Sequence, residues 1–184
     1  MYNRMKKAKW IGALLSVLLT VVLLTGCGDE ADVSVFIMAP NGMPDKVTTD
    51  LQAELQPTLG EKTIKVVGSP IYNAQKLLVE YIAGEHAVMA LPKSDYEAMI
   101  GQGGGVPLED IFDEKQYSEG VMVGTILKEK NAEVKEKHLF GIPLKQAGMF
   151  KKTGFAPEEM FLIIPTNAPD LALSKQVIKE LVHS

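Results

Sequence analysis

Apolar and polar positions in this chain fall into two regimes. An uncharged run from Trp10 to Gly28 comes first, and short apolar runs alternating with helical stripes follow it. Val33 to Ala39 (VSVFIMA) is β-branched and apolar, stops at Pro40-Asn41-Gly42, and reads as a central strand. Pro44 suits a first helical turn, and Val47, Leu51, Leu55 and Leu59 then recur at helical spacing until Gly60. Thr63 to Val67 predicts a second strand, closed by Gly68-Ser69-Pro70. Asn73 opens a second helix in which Leu77, Leu78, Tyr81 and Ile82 share a face, with Gly84 as its stop. Ala87 to Leu91 predicts a third strand ending at Pro92, and Ser94-Asp95-Tyr96-Glu97 has the Ser-x-x-Glu form of a capping box.

Three strand-then-helix units in succession predict an α/β fold in three layers, with a mainly parallel sheet and helices on both faces. Beyond Gly101 the pattern is sparser. Gly103-Gly104-Gly105 breaks the third helix, Pro107 to Phe112 reads as a short turn, and Val121 to Leu127 reads as a strand. Lys128 to Lys137 (KEKNAEVKEK) reads as a solvated turn or hairpin tip. Met160 to Ile164 is the last strand, and Leu171, Ser174, Ile178 and Leu181 form the stripe of a closing helix.

Ahead of these elements, Arg4, Lys6, Lys7 and Lys9 precede the apolar stretch Ile11 to Leu24 with no acidic residue, so residues 1–26 read as an export signal. The run ends in Leu24-Thr25-Gly26-Cys27, and Cys27 is the chain's single cysteine. This box resembles the lipid-attachment site of bacterial lipoprotein signal peptides. The resemblance implies that the Cys27 thiol carries a diacylglycerol thioether, that cleavage falls just before it, and that residues 27–32 form a lipidated tether. The alternative is an uncleaved transmembrane anchor, since 19 uncharged residues approach the roughly 20 of a span. Thr25 and Gly26 are small enough for a peptidase to approach, which a span does not need. Either way the basic start stays inside and the rest faces outward. The expected location is the extracytoplasmic face of the cell membrane, with membrane lipid as a partner through Cys27.

Without the signal the chain keeps 15 Lys and Arg against 23 Asp and Glu, a formal charge of −8. That argues against nucleic acid as a partner and against electrostatic attraction to anionic lipid. With its one cysteine committed to lipid, residues 33–184 must be stabilised as a single domain by apolar burial.

The order of the pieces resembles the N-terminal lobe of the extracellular solute-binding proteins of ABC importers. The resemblance is carried by the opening strand Val33 to Met38, the phrase Lys76-Leu77-Leu78 to Ala83-Gly84-Glu85, Pro107-Leu108-Glu109-Asp110, and Leu139-Phe140-Gly141-Ile142-Pro143. The closing helix Asn167 to Leu181 also resembles that of the family. It implies one lobe like that of a type II periplasmic binding protein. Family members carry a second lobe between the Gly-Ile-Pro segment and the closing helix. Here fewer than 20 residues separate Leu144 from Met160, so half of a two-lobed site is absent.

Ligands of such sheets sit where strand C-termini open into a crevice. The candidate rim is therefore Asn41 and Gly42, then Ser69 and Tyr72, then Lys93, Ser94 and Asp95. Each also has a plain structural role on offer, as a turn, a strand stop or a helix cap. Catalysis is not expected: His86, His138 and His183 lie far apart, and no serine sits in a nucleophile elbow. Gly101 to Gly105 follows a helix and lacks the Lys-Ser or Lys-Thr of a phosphate loop. No metal and no cofactor is expected. Two functions fit: a solute-binding-like lipoprotein that captures or presents a small solute to a membrane partner such as a transporter, or a noncatalytic surface lipoprotein acting as a protein-interaction module.

Overall fold

The computed structural model describes residues 31–128 and 132–184. The signal segment, Cys27 and most of the tether lie outside the described residues.

The first half of the chain alternates strand and helix. β1 (Val33–Ile37), α1 (Asp45–Leu55), β2 (Ile64–Gly68), α2 (Ala74–Ala83), β3 (Val88–Pro92) and α3 (Lys93–Gly101) follow in turn. The three strands are parallel in the order β2-β1-β3, with Val35 opposite both Val66 and Val88. Pro57 cannot donate within α1, and its last turn tightens into a 3₁₀ turn over Gln56–Leu59 that still buries Leu59.

The second half comprises β4 (Val121–Lys128), β5 (Ala132–Leu139), β6 (Ile142–Pro143), α4 (Gly148–Thr153), β7 (Met160–Ile163) and α5 (Leu171–His183). β7 lies antiparallel to β3, with Pro92 opposite Met160, and β6 pairs antiparallel with β7. The complete order is β2-β1-β3-β7-β6, a mixed sheet in which only β7 runs against the rest. Residues 144–159 leave β6 and enter β7 at the same end of the sheet, so the two strands run antiparallel.

The sheet buries both faces, and alternate residues of β1 divide between them. Val33, Val35 and Ile37 join Leu51 of α1, Phe150 of α4 and Ile178 of α5 in one core cluster. Phe36 and Met38 join Leu77 of α2, Tyr96 and Ile100 of α3, and Phe140 in the other. Val35, Ile37, Val66 and Val88 thus pack together, but Ile163 belongs to the opposite face. One residue of register is enough to send it there.

Three local readings need correction. Lys128 to Lys137 is mostly strand: β4 and β5 form an antiparallel hairpin from Val121↔Leu139 to Lys128↔Ala132. Its pattern is silent because the half-buried positions of β5 are Val134, Glu136 and His138, of which only one is apolar. The capping box does not form. Pro92 holds the cap position of α3, Ser94 stands inside the first turn, and the amide of Lys93 donates to the Glu159 carbonyl at 2.9 Å. Lastly, the face expected to be shared by Leu77, Leu78, Tyr81 and Ile82 on α2 is fully buried only at Leu77, while Leu78 and Ile82 face solvent.

Gly84 does close α2, but not by left-handed geometry, since its φ is −82°. A Cβ there would lie 2.3 Å from His86 Nε2 and 2.4 Å from the Glu80 carbonyl. The glycine leaves room for His86, a buried ring bonded to Ser34 Oγ at 2.8 Å and Glu80 at 2.9 Å. Among the described residues no helix is long and apolar enough to cross a membrane.

Candidate functional site

β1, β2 and β3 all end at one edge of the sheet, and the residues expected to form a rim follow them there. Gly42 closes the turn after β1 through its amide and the Ala39 carbonyl at 3.1 Å. Its φ is +76°, and a Cβ would fall 2.2 Å from the Pro70 carbonyl, so the loops after β1 and β2 pack closely there. Asn41 and Gly42 line a cavity of about 430 Å³ whose far wall is Phe155, Pro157, Glu158 and Glu159.

A second cavity, of about 260 Å³, adjoins the first through the same Glu158 and Glu159. Lys93, Glu119 and Lys145 line it. Lys145 reaches Glu119 at 3.0 Å and Glu158 at 3.6 Å, and the bond to Glu119 holds its ammonium above the ordinary lysine range. The edge thus carries charges of both signs.

The remaining candidates separate. Ser69 is buried, its amide bonded to the Ile37 carbonyl at 2.9 Å and its hydroxyl to the Ile71 carbonyl at 2.7 Å, so its polar groups serve the strand stop. Ser94 is exposed on the first turn of α3. Tyr72 and Asp95 are brought together, the phenol donating to Asp95 Oδ1 at 3.1 Å. Burial, then the neighbouring carboxylate, pushes the Tyr72 phenol up. Asp95 Oδ2 is buried and finds no hydrogen-bond partner among the described residues. Asp95 borders a shallow groove of about 280 Å³ between α2 and α3, floored by Leu77, Tyr81 and Met99. The expected single rim is therefore two sites, one with Asn41, Gly42 and Lys93 and one with Tyr72 and Asp95.

Sequence reasoning missed the residues that wall the first site. Glu158, Glu159 and Lys145 sit in the segment between β6 and β7, where no periodic pattern assigns them a place. The one signal was the acidic pair just before an apolar strand. The histidines are held structurally where bonds are seen: His86 as above, and His138 by Glu109 at 2.8 Å and Glu136 at 3.3 Å. Among the described residues no His, Cys, Asp and Glu grouping suits a metal ion. No family model matches the chain, and no curated protein matches it either.

Proposed function

We propose that this chain is a lipoprotein held at the extracytoplasmic face of the membrane by an acylated Cys27, and that its single lobe, of the solute-binding type, captures or presents a small solute to a membrane partner such as a transporter. The observation that carries the solute reading is the pair of adjoining cavities at the C-terminal edge of β1 and β3, joined by Glu158 and Glu159. Open α/β sheets bind ligands at that edge. The likeness to one lobe of a type II periplasmic binding protein is supported by the position of β7. The chain turns back on itself between Pro143 and Met160, where the family carries its second lobe, and residues 144–159 supply a low wall in its place. Lysine and glutamate side chains around the opening favour a polar, charge-bearing solute.

A wall of this size leaves much of a ligand in water, so the affinity is expected to be modest. Calorimetry of residues 28–184 against sugars, amino acids, peptides and oxyanions tests this, with Glu159→Ala and Lys93→Ala as paired variants. The expected result is a dissociation constant weaker than micromolar, with the heat lost in both variants. Submicromolar binding would overturn the half-site reasoning. Silence with every solute, together with a copurifying membrane protein, would replace the solute reading by that of a protein-interaction module.

A further inference from the structure

We infer that the outward face of α2 is a membrane-docking surface, which lies against the lipid bilayer when Cys27 is acylated. The inference rests on the anchoring half of the proposed function and is independent of solute binding.

Ala74 and Leu78, which also border the groove beside α3, and Ile82 follow one another at four-residue spacing, and Val79 flanks them, so the outer arc of α2 is apolar except for the uncharged, exposed Gln75. Leu78, Val79 and Ile82 are 56%, 63% and 65% exposed, and Ile71, just before the helix, is 68% exposed. The charged side chains of α2, Lys76 and Glu80, lie off this arc, and Glu80 is turned to His86. Large apolar side chains gathered on one exposed arc, rather than scattered singly, favour a contact there.

The bilayer is favoured as the occupant by where the chain leaves the body. Asp32 Oδ2 accepts bonds from the Thr63 amide and hydroxyl at 2.9 Å each, which fixes the start of the fold. Two residues on, Ser34 bonds to His86, and His86 bonds to Glu80 in the second half of α2. The exit point and the last turn of α2 are therefore at the same end of the molecule. From Cys27 to Asp32 the chain spans at most about 18 Å. A body of this size has a radius of gyration of about 15 Å. A lipid on Cys27 thus holds the domain against the bilayer, and docking becomes an intramolecular event at high effective concentration, so a short apolar arc suffices. With a formal charge of −8 on the processed chain, the contact is apolar and not an attraction to anionic headgroups.

The test uses the chain's tryptophan content. Trp10 is its only tryptophan and is lost with the signal, so Ile82→Trp gives the processed protein a single reporter. The full chain, processed and acylated in a bacterial host, is reconstituted into phosphatidylcholine vesicles with or without brominated acyl chains. Ile82→Trp should emit to the blue and lose at least half its intensity to the bromines. Ala53→Trp, exposed on α1 across the sheet, should do neither. Adding Leu78→Gln and Val79→Gln should return the Ile82→Trp emission to that of a solvated indole, with circular dichroism unchanged. Vesicle-bound protein whose Ile82→Trp is unquenched would overturn the docking while leaving the anchor intact. Protein that fails to float with vesicles would remove the anchor and the docking together. A blue shift that disappears on diluting the protein within the vesicles would assign the arc to a second copy and overturn the inference.

Discussion

Tyr96 shows how closely this core is fitted at the level of single atoms. Its ring stacks on Phe161, with centroids 4.5 Å apart, and its hydroxyl donates to the Gly120 carbonyl at 2.7 Å. That carbonyl also accepts from the Phe140 amide at 3.1 Å. Tyr96→Phe therefore leaves it one partner and should cost about 1 kcal/mol, the net value of one hydrogen bond. Gly120→Ala is a different matter, because its Cβ would fall 1.7 Å from the Gly141 carbonyl, a backbone atom that cannot step aside. Its cost should reach or pass the top of the ~1–3 kcal/mol range of overpacking. Urea unfolding of both variants checks the ranking, and equal losses would contradict it. Asp32 supplies a pH test. The Thr63 amide, then the Thr63 hydroxyl, holds its carboxyl below the usual range. A depressed carboxylate stabilises above its unfolded pKa, about 3.9, and loses that contribution as pH falls through the folded value. Asp32→Ala should therefore be less stable than the parent at pH 7, with the gap closing toward about pH 2 as urea midpoints are compared.

Between elements, the sheet depends on apolar strands covered on both sides. Ile37 is fully buried at the end of β1, in the cluster with Val66 and Val88. An unpaired charge there costs several kcal/mol against a total stability of roughly 5–15 kcal/mol. Ile37→Asp should abolish the cooperative thermal transition, and a parent-like melting temperature would remove β1 from the centre of the sheet. Buried strands are easy to read in a sequence because they are continuous apolar runs. The β4–β5 hairpin is not, since β5 holds its half-buried face with Glu136 and His138, whose mutual bond and tie to Lys128 replace apolar contact. Lys128, then His138, lowers the Glu136 pKa. α2 misleads in the other direction, because helical spacing marks a stripe without saying whether a neighbour covers it.

For the whole molecule, the lipid proposed on Cys27 would decide where the folded body works. A thioether needs a thiol, and Cys27 is the only one in the chain. Cys27→Ala should abolish acyl labelling and leave either an unprocessed, larger membrane form or a released soluble one. Metabolic labelling and gel mobility read this out, and unchanged labelling would refute the anchor. The soluble body should keep its fold, because Ala31–Ser184 forms one compact unit.

The order of strands and helices from Val33 to Gly101 was legible in the sequence, because each element there depends on local periodicity, a glycine or proline stop, or a cap such as Asn73, whose side chain accepts from the Lys76 amide. The same holds for the closing helix, capped by Asp170. What local pattern could not contain is long-range. The reversal of β7, the wall that Glu158 and Glu159 raise across the rim, the division of the rim into two sites and the bare outer arc of α2 each depend on which segment packs against which. Periodicity encodes a residue's own preference for burial, whereas these features are set by partners distant in the chain and exist only once the sheet has closed.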